Sequence, residues 1–199
     1  MLYILVAGGP CTGKTTLVKY LARTLGSMGL KVYVIRDWAR ELIKEGKKSG
    51  GPLPWNDRLN FEIEVAKKHL EDFKRALRYS PDIIIEDSGP IATIAYCNVD
   101  GLKLPAKLEN DIKRHGHRVD LVFITEPNSD YFRDNERWEE RDYAFRIHKE
   151  IMYTHLNILE RKRVILLKPA KTPQIRVRNA LNYILSMLKD KVKIYSIRS

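Results

Sequence analysis

The chain has 199 residues, 44% of them hydrophobic, and a formal net charge of +11. That length fills one hydrophobic core and is short for two, while no apolar run reaches the length that spans a bilayer. Met1 leads straight into an apolar run without a basic leader, and only Cys11 and Cys97 occur, which predicts a cytoplasmic protein with no signal peptide, no membrane association and no disulfide framework.

Leu2, Ile4, Leu5 and Val6 predict a buried first strand, and Thr15 onward predicts a helix with Leu17, Leu21 and Leu25 on one face. Between them, Gly8-Gly9-Pro10-Cys11-Thr12-Gly13-Lys14-Thr15 matches G-x-x-x-x-G-K-[ST] in the strand–loop–helix context that pattern requires. Such a loop turns successive backbone N–H groups into one concavity, and the helix macrodipole adds positive potential there. Gly8, Gly9, Pro10, Cys11, Thr12, Gly13, Lys14, Thr15 and Thr16 are therefore the candidate nucleotide-binding residues. Lys14 is the candidate catalytic point charge for the β- and γ-phosphates, and the Thr15 hydroxyl is a candidate Mg²⁺ ligand.

Lys31 to Ile35 predicts a second strand and Asp37 to Glu45 a helix. A carboxylate at a C-terminal strand end is suited to accept a proton from, or orient, a substrate hydroxyl, which makes Asp37 a candidate catalytic and substrate-binding residue. The same residue is an ordinary helix N-cap, and the two roles are compatible. Arg40, one turn on, is placed to meet an anionic substrate. Gly50-Gly51-Pro52-Leu53-Pro54 reads as a loop. A long helix follows, capped by Asn56 or Asp57, with Leu59, Ile63, Ala66, Leu70, Phe73 and Leu77 as its apolar face.

Ile83-Ile84-Ile85 predicts a wholly apolar central strand that ends in Glu86 and Asp87. Its C-terminal end lies beside the phosphate loop in a parallel sheet, where a carboxylate holds Mg²⁺ directly or through water. Side chains alternate along a strand, so one of the pair faces the metal; Asp87 is the first candidate, also on the substrate side, and Glu86 the second. His115-Gly116-His117 reads as a turn before a fourth strand, Val119 to Ile124, and not as a metal site.

The charged segment from Glu126 to Glu150 places Arg133, Arg137 and Arg141 at spacings of four. That stripe predicts a lid at about 126–146, with Arg137 and Arg141 as candidate catalytic residues and Arg133 as a substrate-binding one. Interleaved Asp134, Glu136, Glu139 and Glu140 also fit a solvated helix laced with ion pairs. Val164 to Leu167 predicts a fifth strand, and Lys168 to Thr172 a loop for base recognition. Thr172-Pro173 opens a last helix that buries Val177, Leu181, Ile184, Leu185 and Leu188; the tail Lys191 to Ser199 is expected to add an edge strand or stay loose. Residues 160–199 carry eleven Lys and Arg against two acids. That basic stretch fits a nucleic-acid partner or, more simply, a lysine-rich solvated surface, which the single glutamine, Gln174, favours. Five strands after such a start give one α/β domain over 1–199 with a parallel sheet.

Three segments together resemble the P-loop kinase superfamily, and within it the ribosylnicotinamide-kinase-like ATPases, named for the kinase domain of a bacterial NAD-biosynthesis regulator. Ala7 to Thr16 is similar to that group's G-G-P-x-[ST]-G-K-T-T loop, and Asp37-Trp38-Ala39-Arg40-Glu41 to its acidic-x-x-Arg-Glu helix start. Tyr131-Phe132-Arg133-Asp134-Asn135-Glu136-Arg137 is similar to its Y-x-x-D-x-x-R lid. The resemblance implies a three-layer αβα P-loop NTPase fold with the first strand central, an ATP·Mg²⁺ site, and a phosphate acceptor near Asp37 and Asp87. Where many relatives carry Asp-Arg after the third strand this chain has Asp87-Ser88-Gly89, and Thr93 stands where relatives often show another Asp. These departures leave the identity of the acceptor open. The expected partners are a nucleoside triphosphate and a small-molecule acceptor, a nucleoside or nucleotide. A regulatory nucleotide-dependent ATPase or GTPase switch, and a polynucleotide 5′-end kinase using the basic C-terminal face, are the alternatives.

Overall fold

In the computed structural model of the chain, residues 1–127, 140–159 and 163–197 are described, with side chains through residue 189. Five strands, β1 (Leu2–Ala7), β2 (Val32–Ile35), β3 (Ile83–Asp87), β4 (Leu121–Thr125) and β5 (Val164–Leu167), form one parallel sheet in the order β2-β3-β1-β4-β5. Leu2 pairs with Ile83 and Val6 with Asp87, and on the other edge of β1 Ile4 pairs with Leu121. The central strands β1, β3 and β4 are wholly buried and almost wholly apolar, as strands covered on both faces must be. The edge strands β2 and β5 are only half-buried.

Among the described residues seven helices cover the sheet: α1 (Lys14–Ser27), α2 (Trp38–Ser49), α3 (Arg58–Tyr79), α4 (Ile91–Val99), α5 (Ala106–Gly116), α6 (Arg141–Ile158) and α7 (Pro173–Ile197). Alternation along β1 separates two cores. Leu2, Ile4 and Val6 join Ile83, Ile85 and Phe123 under α1 and α7, against Leu17, Leu21, Val177 and Ile184. Tyr3, Leu5 and Ala7 join Ile84, Val122 and Ile124 under α3 to α6, against Phe73, Ile91, Ile112 and Ile147. Each fully buried Leu, Ile or Phe contributes roughly 1.5–3 kcal/mol relative to exposure. The result is the expected three-layer αβα arrangement with β1 central. The chain leaves β1 toward one edge and returns as β4 on the other, so the crevice outside the C-terminal end of β1 is the topological switch point.

Four local expectations need correction. On α3 only Ala66 and Phe73 of the predicted stripe are buried; the inward face is Phe61, Glu62, Val65, Ala66, His69, Asp72, Phe73 and Ala76, and Leu77 is 37% exposed. The helix is rotated because its polar residues find partners on that face: Glu62 with the part-buried Arg58 at 3.1 Å, His69 with the buried Glu86 at 2.9 Å, and Asp72 with the part-buried Tyr33 at 2.8 Å. His115 lies not in a turn but in the last turn of α5, buried 3.1 Å from Glu86. Residues 191–197 continue α7 instead of adding an edge strand, since nothing after Pro173 is Gly or Pro. The helix after β2 runs on to Ser49 and stops at Gly50, whose φ of 80° favours glycine.

One buried histidine sets an acid limit on this fold. His155 of α6 is fully buried, with Nδ1 2.7 Å from the Ile151 carbonyl and Nε2 without a hydrogen-bond partner among the described residues. Burial pushes its imidazole down to about 4 from the ordinary 6.5. A folded-state value below the unfolded one means the unfolded chain binds the proton first. The neutral ring's contribution is thus complete above pH 6.5 and is lost as pH falls toward 4. We expect about 3 kcal/mol of stability to disappear across that window. Denaturant unfolding of wild type and His155→Phe at pH 7 and pH 4 checks this; equal pH dependence in the two proteins would contradict it.

Candidate active site

Gly8 to Lys14 wraps the C-terminal end of β1 and enters α1. Two glycines are fixed by close approach. A Cβ on Gly8, whose φ is +142°, would sit 2.7 Å from the Thr125 carbonyl oxygen, and one on Gly9 would sit 2.7 Å from the Cβ of His148. The loop is therefore wedged between the end of β4 and helix α6. Gly13 takes φ 84° at the N-cap of α1, and Cys11 also lies in the left-handed region at 59°. Hydroxyls brace the turn: Thr12 Oγ1 donates to the Gly9 carbonyl at 2.9 Å, and Thr125 Oγ1 lies 2.7 Å from Thr12 Oγ1. The Gly9 N–H donates to His148 Nδ1 at 3.1 Å. Burial, then the nearby Lys14 ammonium, holds His148 below its ordinary value and keeps that nitrogen an acceptor. Lys14 is itself buried, its Nζ donating to the Gly9 carbonyl at 2.8 Å.

Beside the loop, two carboxylates from adjacent strand ends converge. Asp37 follows β2 and caps α2, its Oδ1 accepting the Arg40 N–H at 3.4 Å, while Arg40 Nε lies 3.6 Å from Oδ2. Asp87 closes β3 and is 2% exposed, with Oδ1 lacking a hydrogen-bond partner among the described residues. Burial and then the Asp37 charge push its carboxyl up to about 6, against the opposing pull of Lys14, the Thr15 hydroxyl and His69. An orphaned buried carboxylate oxygen next to a threonine hydroxyl is the hard-oxygen donor set that suits Mg²⁺.

Glu86, the second metal candidate, needs correction. It points to the opposite face of the sheet, under α3 and α5, where Oε1 lies 2.9 Å from His69 Nδ1 and Oε2 meets the Tyr3 hydroxyl and His115 Nε2. Burial alone would raise its pKa, but His115 and His69 hold it well below the usual carboxylate range. Strand alternation explains the split: Asp87 follows Ile85 toward the loop, and Glu86 follows Ile84 into the other core.

A cavity of about 70 Å³ opens between the loop, α2, α3 and α4, lined by Pro10, Lys14, Asp37, Arg40, Arg58 and Thr93 among others. Arg58 is held in place by Glu62 at 3.1 Å and Asp100 at 2.9 Å, with its guanidinium 4.6 Å from the Tyr96 ring. Thr93 Oγ1 is buried in the cavity wall without a hydrogen-bond partner among the described residues. A second cleft, about 230 Å³, lies on the other side of the loop between Gly13, Thr16, Lys171, Thr172, Pro173 and Arg176.

The structure thus gathers Gly8 to Thr16, Asp37, Arg40 and Asp87 around one crevice. Arg133 and Arg137 lie outside the described residues. Arg141 is the exposed first residue of α6, its guanidinium 5.8 Å from the Phe145 ring. Sequence reasoning missed Arg58, Glu62, His69, His148 and Arg176. Glu62, His69 and Asp72 did leave a signal, a polar stripe at helical spacing inside an otherwise apolar face.

A family model described as an AAA domain matches residues 3–170. No curated protein sequence matches the chain. Among solved structures, the NadR protein in complex with NR is similar, with a TM-score of 0.70 at 21% identity, covering 92% of this chain and 50% of that one. NadR in complex with NAD and AMP-PNP gives 0.66 at 20% identity, with 92% and 48% covered. Deoxyadenosine kinase from M. mycoides, with products dCMP and dCDP bound, gives 0.64 at 13% identity, with 93% and 100% covered. At these identities the likeness is one of fold, the P-loop NTPase fold that the glycine-rich loop predicts. The chain spans about half the length of the NadR chains it matches.

Proposed function

The chain belongs to the AAA-domain family, and we propose that it is an ATP-dependent phosphotransferase moving the γ-phosphoryl group of ATP to a hydroxyl of a small acceptor, a nucleoside or nucleotide. The observation that carries this reading is the convergence of Asp37 and Asp87 with Lys14 between a phosphate loop and a polar cavity. A switch that only hydrolyses needs no second cavity of this kind, and its small volume favours a small acceptor over a polynucleotide. The solved structures of similar fold include a nucleoside kinase by name, which supports the same class.

In this mechanism the loop N–H groups and the α1 N-terminus hold the β-phosphate, and Lys14 spans the β- and γ-phosphates. Asp37 takes the acceptor's hydroxyl proton as its oxygen bonds to the γ-phosphorus; the bond from that phosphorus to the β-bridging oxygen breaks and ADP leaves. Thr15 and Asp87 are the residues that would hold Mg²⁺, which when bound withdraws charge from the phosphate oxygens. Arg40 and Arg58 orient the acceptor. The base lies in the cleft beside Lys171 and Thr172. A thermal-shift screen tests the nucleotide half of this reading: saturating MgATP, at about a hundred times Kd, should raise the melting temperature by about 5–10 °C. No shift with any nucleoside triphosphate would contradict it.

A further inference from the structure

We propose that Arg176 is a positioning residue that locks the base cleft to the phosphate loop, so that a nucleotide's base and its phosphates meet one rigid surface. This rests on the nucleotide reading above. Arg176 sits in the first turns of α7 and is 7% exposed. Its guanidinium donates to three backbone carbonyls from three separate segments: Nη1 to Thr12 at 2.6 Å, Nη2 to Glu126 at 3.0 Å, and Nε to Lys168 at 3.1 Å. Thr12 belongs to the phosphate loop, Glu126 follows β4, and Lys168 follows β5 and opens the segment that forms the cleft.

A planar fork of fixed donors satisfies three carbonyls at once; a lysine ammonium reaches fewer and holds no plane. The contact is also built into the loop's own turn. Arg176 Nη1 lies 3.5 Å from where a Cβ on Gly13 would stand, so the guanidinium packs over the glycine that starts α1. Arg176 also lines the cleft together with Gly13, Thr16 and Lys171. Without it, the Lys168–Thr172 segment and the phosphate loop lose this direct tie, and each holds its part of the ligand less firmly relative to the other. Because these three acceptors are main-chain oxygens, the effect of the clamp is on geometry, and it appears for a ligand that bridges both parts.

The experiment compares MgATP with magnesium tripolyphosphate, which has the phosphates and no base, by calorimetric titration of wild type, Arg176→Met, Arg176→Lys and the exposed control Arg178→Met. We expect Arg176→Met to weaken MgATP about 30-fold and tripolyphosphate by less than about threefold, so that wild-type preference for the base-bearing ligand collapses. Arg176→Lys should fall between, and Arg178→Met should match wild type. Equal losses for the two ligands would assign Arg176 to the phosphate loop alone and overturn the coupling, as would no loss for either. If Arg176→Met fails to fold, Arg176→Lys decides the matter by the same ratio. Failure of wild type to bind MgATP would instead remove the nucleotide reading and leave the clamp a structural feature.

Discussion

Lys14→Ala is expected to abolish phosphoryl transfer, with turnover falling on the order of 10³-fold. The ammonium is buried and already folded over its own loop, 2.8 Å from the Gly9 carbonyl, so whatever the loop grips lies within its reach. Its removal also takes away the lesser of the two influences that lower His148, burial remaining, and one of the influences that hold the Asp87 carboxyl down. The fold should survive, because the loop remains braced by Thr12, Thr125 and Arg176. Steady-state kinetics with a melting curve checks this. Turnover within tenfold of wild type, in a folded variant, would contradict the assigned role.

The second large effect is Asp37→Asn. Asparagine is as good an N-cap as aspartate and has nearly the same volume, so α2 keeps its start and the cavity its shape. What disappears is the group that takes the acceptor's proton. We expect kcat to fall by about 10²–10⁴, while the Kd for MgATP stays within about twofold, since Asp37 faces the acceptor side and not the loop. The variant thereby separates chemistry from binding. Unchanged kcat would reduce Asp37 to a helix cap, the plainer of its two sequence readings; loss of MgATP binding would mean it supports the loop.

The legible parts of this site are those encoded by neighbours in sequence. Gly8 to Thr15 is one contiguous stretch, and its conformation follows from glycine placement between an apolar strand and a helix. Asp37 and Asp87 stand out because apolar runs mark strand ends and a parallel sheet gathers those ends on one side. The missed residues are those joined by packing between distant segments. His148 meets Gly9 across 139 residues and Arg176 meets Thr12 across 164, and no local pattern announces either. The α3 face was misjudged because periodicity favours leucine, whereas Arg58, Glu86, Tyr33 and Trp38 offered partners that drew Glu62, His69 and Asp72 inward. Glu86 and Asp87 are an instructive pair: composition makes them equivalent, and the alternation of the strand sends one to the loop and the other into a histidine-lined core.

The fold alone is compatible with hydrolysis as well as transfer, so the direct test follows the γ-phosphoryl group itself. With γ-labelled MgATP and a panel of nucleosides and nucleotides, the account predicts label on a small-molecule acceptor. Its rate should exceed acceptor-free release of inorganic phosphate by at least about tenfold, and both should vanish together in Lys14→Ala. Label found only in inorganic phosphate, at one rate whatever acceptor is present, would contradict it.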